Sequence, residues 1–176
     1  MTVKLLNINI LISFQYIRFV TFMIFSDNIN KSNILLKTKS INRWELIDEL
    51  VELAVKNKEI SSEDCEEIKK TLIDREKSMT TGIGNGVAIP HCASSKIKDV
   101  VCILSFNQQG IDFDSIDNQP VKIVILLIVP KNKLSQHIKT LANIAKMMSN
   151  NSVREKLLTL KTQESIIKTI KEFEQS

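Results

Sequence analysis

The feature that most restricts this chain is a run of seven apolar residues, Ile123-Val124-Ile125-Leu126-Leu127-Ile128-Val129. It is too short to cross a bilayer, which takes about 20 apolar residues. It also lacks the alternation of a strand with one wet face, and so fits a central strand over 121–129 buried on both sides. Such a strand needs covering layers, and the rest of the chain offers them. Ile34-Leu35-Leu36 reads as a short strand. Asn42 is placed to cap a helix carrying Ile47, Leu50, Val51 and Ala54 at helical spacing, with Glu45 set for a capping-box contact. A second helix is predicted from near Ser61, with Asp64 three residues on and Cys65, Ile68 and Leu72 along one face. Strands are predicted over 87–89 and 100–106, then Gly110 and a turn region over 112–118. Helices are predicted over 134–148, 152–160 and 163–174, and no internal repeat or low-complexity linker interrupts them. Strands interspersed with helices give an α/β fold: a single domain whose mixed central β-sheet is flanked by helices on both faces.

At 176 residues the chain is long enough for one domain with a substantial core. Its formal net charge is +4, but the excess is local. Residues 1–43 hold six of the 24 Lys and Arg and one of the 20 acids, Asp27, which leaves 18 basic and 19 acidic side chains in the remainder. A folded body so close to neutral argues against a nucleic-acid partner. Three cysteines (Cys65, Cys92, Cys102), with no CxxC, argue against a disulfide framework and for a reducing, cytoplasmic setting. Two histidines and scattered cysteines supply no metal cluster, so no metal and no cofactor are expected.

The first 25 residues read differently from the rest. Leu5 to Phe25 is rich in Leu, Ile and Phe, but Arg18 and several polar residues break it, and no signal-peptide cleavage site follows. Residues 1–22 are therefore expected to be an extension: either translation starts at Met23, or the segment associates weakly with a membrane. The domain proper is expected over 23–176.

The chemistry concentrates in Gly82-Ile83-Gly84-Asn85-Gly86-Val87-Ala88-Ile89-Pro90-His91. Three of the four glycines fall within five positions, and the block delivers one of the two histidines. Glycine admits unusual backbone angles and close approach to the main chain. Such a loop could turn N–H groups toward an anion beside a nucleophile. The spacing GxGxG, following a helix and entering a strand, does not fit a dinucleotide fingerprint, and no Gly-Lys-Ser/Thr of a Walker loop is present. What remains is a histidine acting as nucleophile or base. Cys92 beside it reads as a small space-filling residue, with a reactive thiol as the alternative. Taken alone, Arg75 reads as a surface arginine at a helix end and His137 as a helix histidine beside the stripe Leu134, Leu141, Met148.

The segment Arg75-Glu76-Lys77-Ser78-Met79-Thr80-Thr81-Gly82 through Pro90-His91 resembles the signature of type-2 EIIA domains of the phosphoenolpyruvate:sugar phosphotransferase system. Phe113-Asp114-Ser115-Ile116-Asp117-Asn118-Gln119-Pro120-Val121 is similar to the nitrogen-regulatory branch, and His137-Ile138-Lys139-Thr140-Leu141-Ala142-Asn143-Ile144-Ala145 to the family's second-histidine helix. The resemblance covers residue 23 to the C-terminus. It implies that His91 accepts a phosphoryl group from phosphorylated HPr, or its nitrogen-branch equivalent, through Nε2. It also implies that Arg75 stabilises the phosphate and that His137 supports His91. Thr81, with Thr80 beside it, either donates hydrogen bonds to the phosphate or caps a turn, and Gly82, Gly84 and Gly86 are expected near the phosphate, giving backbone access. Implied recipients are an EIIB protein or a regulatory target, with a membrane involved only through a permease or the N-terminal extension. Two roles stay open beside the phosphorylation-dependent regulator: an EIIA component of fructose/mannitol-type uptake, and an interaction regulator that does not use phosphorylation.

Overall fold

The computed structural model describes residues 25–175, so the readings of 1–22 and of Met23 lie outside the described residues. The apolar run lies in β6 (Val121–Pro130), which pairs antiparallel with β5 (Val101–Ile111) along most of its length. Its other side carries two short parallel strands end to end. β3 (Val87–Ala88) lies opposite Ile123 and Val124, and β4 (His91–Ser94) opposite Leu127 to Pro130. β1 (Ile34–Leu35) runs parallel to β5 at one edge, and β2 (Gly82–Gly84) runs antiparallel to β3 at the other. The sheet is six-stranded and mixed.

Alternation along β5 and β6 divides the interior into two cores. Val101, Ile103, Val124, Leu126 and Ile128 pack beneath α1 (Arg43–Lys56) and α2 (Cys65–Ser78). Leu104, Phe106, Ile123, Ile125 and Leu127 pack beneath α3 (Leu134–Ser149), α4 (Asn151–Thr159) and α5 (Gln163–Glu174). Both faces of β6 are thus dry, as an unbroken apolar run requires, and the predicted α/β sandwich of helix, sheet and helix is the fold observed.

Local chemistry sets the helix ends. Asn42 accepts from the Trp44 and Glu45 amides, both at 3.0 Å, and Glu45 reaches back to the Ile41 amide at 3.1 Å. The returning contact therefore falls one residue earlier than a capping box predicts. α2 begins at Cys65 rather than near Ser61, because Ser61 and Asp64 close a separate turn through the Ser61 hydroxyl. β5 runs past 106 to Ile111, with a register shift between Phe106 and Ile111. No helix among the described residues is long and apolar enough to cross a membrane.

Candidate functional site

The glycine block is a tight hairpin. Asn85 (φ +55°) and Gly86 (φ +73°) are the two residues between β2 and β3, and both lie in the left-handed region. That is the signature of a two-residue Asn-Gly turn, the dipeptide favoured where both turn residues need positive φ. The hairpin is clamped by the 113–119 segment. The Thr80 hydroxyl donates to the Phe113 carbonyl, the Ile116 amide to the Gly82 carbonyl at 3.2 Å, and the Asn85 amide to Asp117 at 2.7 Å. Gly82 permits the closest approach: a Cβ there would sit 2.9 Å from Ser115 Cα. The clamp holds the Asp117 carboxyl below its usual range, through the amides of Asn85 and then Gln119.

After β3 the chain passes through Ile89 and Pro90 and re-enters the sheet at His91, opposite Leu127. The His91 Nδ1 lies 2.8 Å from the Ile89 carbonyl oxygen. A carbonyl can only accept, so Nδ1 carries the proton and the lone pair of the neutral ring is on Nε2. The ring is half-buried, and burial is the main cause holding its pKa below the ordinary imidazole value. The Arg75 charge pushes the same way, whereas the Ile89 carbonyl and Glu76 push back. The site therefore favours a neutral imidazole, the form in which Nε2 is a nucleophile.

Arg75 lies in the last turn of α2 and donates to the Met79 carbonyl at 2.7 Å. It is a helix-end arginine whose charge also reaches His91. His137 falls in the first turn of α3, where only the backbone is described. Cys92 is 5% exposed, and burial pushes its thiol up to about 12, which suits a packing role.

Thr81 and the glycines differ from a simple phosphate cradle. Thr81 is buried, and both its amide and its hydroxyl donate to Glu76. The Gly82 amide donates to the Thr80 hydroxyl at 3.0 Å, and the Gly86 carbonyl accepts from Lys122 and Ile123. These polar groups are already committed to holding the hairpin. The residue missed in the sequence is Glu76, 4% exposed. An acid in the last turn of a helix reads as solvated, and only its place five residues before Thr81 could have signalled otherwise. Among the described residues no three His, Cys, Asp or Glu side chains gather in a way that could hold a metal ion.

A family model for the phosphoenolpyruvate-dependent sugar phosphotransferase system, EIIA 2, matches residues 27–173. The chain belongs to that family. EIIA 2 members are phosphotransfer components, so the chain falls in the transferase class. A nitrogen regulatory protein of Bradyrhizobium diazoefficiens is 37% identical over 108 residues, 61% of this chain and 71% of that protein. The fructose-specific EIIABC component of Bacillus subtilis is 25% identical over 146 residues, 83% of this chain but only 23% of that larger protein. Among solved structures, nitrogen regulatory protein IIA-Ntr of Neisseria meningitidis superposes with a TM-score of 0.76 at 28% identity, covering 82% of this chain and 97% of that one. The Escherichia coli complex of IIAMTL with phosphorylated IIBMTL shares the fold, with a TM-score of 0.67 at 20% identity over 81% of this chain and 96% of the matched one.

Proposed function

We propose that this EIIA 2 protein carries a phosphoryl group on Nε2 of His91, taken from phosphorylated HPr or its nitrogen-branch equivalent. The observation that carries the reading is the Nδ1 contact with Ile89, which leaves the lone pair of a neutral, half-buried imidazole on Nε2. In the transfer, that lone pair forms the new N–P bond as the donor's N–P bond breaks and its electron pair returns to the donor nitrogen. Phosphoryl transfer calls for alignment and charge neutralisation rather than elaborate covalent chemistry. Arg75 supplies the cation, since a guanidinium has donors beyond the one engaged by Met79. His137 is assigned the supporting role beside His91, within a domain over 23–176.

A regulatory output is the reading best supported. Nitrogen regulatory proteins are 37% and 33% identical to this chain, in matches that cover 71% and 73% of their own lengths. In that reading the phosphorylation state of His91 switches binding to a target protein. The similarity to a fructose-specific component over 146 residues favours a second reading, in which the phosphoryl group passes to a separate EIIB protein for uptake. Both readings place the protein in the cytoplasm, where its donor is phosphorylated.

The test is intact-mass spectrometry of the chain mixed with phosphoenolpyruvate, EI and HPr. The expected result is one acid-labile phosphoryl adduct on wild type and none on His91→Ala, with both proteins folded. An adduct that survives in His91→Ala, or its absence from wild type while HPr is phosphorylated, overturns the assignment.

A further inference from the structure

Glu76 is a carboxylate that the helix pattern does not explain. It sits in the last turn of α2, where an acid faces the unfavourable end of the helix dipole, and it is nonetheless buried. Buried carboxylates are normally met by a cation, yet no ion pair reaches Glu76 among the described residues. Its oxygens instead accept from Thr81, twice from the backbone N–H at 3.1 and 3.2 Å and once from the hydroxyl at 2.5 Å. The Thr81 carbonyl accepts from the Ile89 amide at 3.0 Å, and the Ile89 carbonyl accepts from His91 Nδ1 at 2.8 Å. One line of hydrogen bonds thus leads from a buried charge, through two backbone residues, to the imidazole.

We propose that Glu76 is a positioning residue for phosphoryl transfer: through Thr81 and Ile89 it holds the His91 ring in the Nδ1-protonated form, and its charge offsets the positive charge that develops on that ring. This inference rests on His91 being the nucleophile. When the Nε2 lone pair bonds to phosphorus, Nδ1 keeps its proton and the ring becomes cationic. A fixed negative charge within the same low-dielectric interior stabilises that state more than it would in water. Glu76 is among the charges felt at His91, acting against burial and against Arg75. Two sequence neighbours therefore do opposite work, Arg75 toward the phosphoryl oxygens and Glu76 toward the ring. The same arrangement explains why Thr81 has no donor to spare: it links the acid to the strand that carries the histidine.

The experiment uses the full chain as wild type, Glu76→Gln and Thr81→Val. Glu76→Gln keeps the side chain's size, removes its charge and turns an amide N–H toward a donor. Thr81→Val removes only the hydroxyl contact. Rapid-quench uptake from phosphorylated HPr gives the rate at saturating donor and the half-saturating donor concentration, and 1H–15N spectra of the imidazoles report the His91 tautomer. Glu76→Gln is expected to lower the saturating rate by about tenfold or more, with the half-saturating concentration unchanged, and to shift the ring toward a mixture of tautomers. Thr81→Val is expected to move both readouts the same way by a smaller factor, and it carries the test if Glu76→Gln does not fold. A folded variant with the wild-type rate and tautomer overturns the proposal. So does a loss of thermal stability that leaves rate and tautomer unchanged. Failure of wild type to take up phosphoryl, or uptake by His91→Ala, instead strikes the underlying assignment and is read before either variant.

Discussion

The β5–β6 pair and the segment from Glu76 to His91 both reach into the interior, yet they are held by different forces. In β5 and β6 the interior contacts are aliphatic, and Leu126, Leu127 and Ile125 are fully buried between two helical layers. Between Glu76 and His91 the contacts are directional: a buried carboxylate, a hairpin with two left-handed residues, and an imidazole fixed by a carbonyl. The first region gains its stability from area removed from water, which depends little on exact orientation. The second has its donors committed to particular acceptors, so its geometry is sharp and its tolerance small. The sheet gives the fold its stability, and the hydrogen-bonded segment fixes where one nitrogen points.

The largest effect expected from breaking this contrast is in the sheet. Leu126→Ala should destabilise the domain by ~2–5 kcal/mol, because it opens a cavity in a fully packed layer. Denaturant unfolding measures it, and phosphoryl uptake by the remaining folded protein should be unchanged. A loss in uptake without a loss in stability would erase the division between the two regions. Gly82→Ala should cost less in stability, ~1–3 kcal/mol, since its Cβ would meet the Ser115 backbone and force the clamp open. Here uptake should fall even where the protein stays folded, and wild-type uptake would mean that the hairpin's placement does not matter.

The contrast also explains what could be read from the sequence. β6 was legible because seven apolar residues in a row leave few alternatives. The helices over 43–56 and 134–174 were legible from their apolar spacing, with the cap at Asn42 marking the start of the first. The continuation of β5 to Ile111 was hidden, because Asn107, Gln108, Gln109 and Gly110 look like a loop, and only the partner strand beside them recruits Ile111. β4 was hidden for the same reason: His91-Cys92-Ala93-Ser94 has little strand character, and pairing with 127–130 of β6 imposes it. At the site, His91 stood out by its position after the glycine block, with family resemblance supplying its role. The Asn85-Gly86 dipeptide signals a hairpin, whereas the density of glycines suggests a loop that turns N–H groups toward an anion. Glu76 was illegible because its burial depends on how the chain folds back through Thr81.

The smallest effect concerns pH. The folded-state pKa of His91 lies below its ordinary value of about 6.5, so as pH falls the unfolded chain takes up its proton first. The contribution of His91 to stability is thus present above about pH 6.5 and is lost as pH drops toward the folded value. Unfolding curves for wild type and His91→Ala, compared between about pH 7 and about pH 5, should converge in stability toward acid. A gap that widens toward acid would mean that the folded site favours the charged ring, contrary to its burial.

The most direct test of the account is to determine which nitrogen carries the phosphoryl group, by 1H–15N correlation spectra of the phosphorylated, 15N-labelled chain. Phosphorylation is expected at Nε2 of His91, with Nδ1 still protonated and held by the Ile89 carbonyl. A phosphoryl group on Nδ1, or on any other residue, would contradict it.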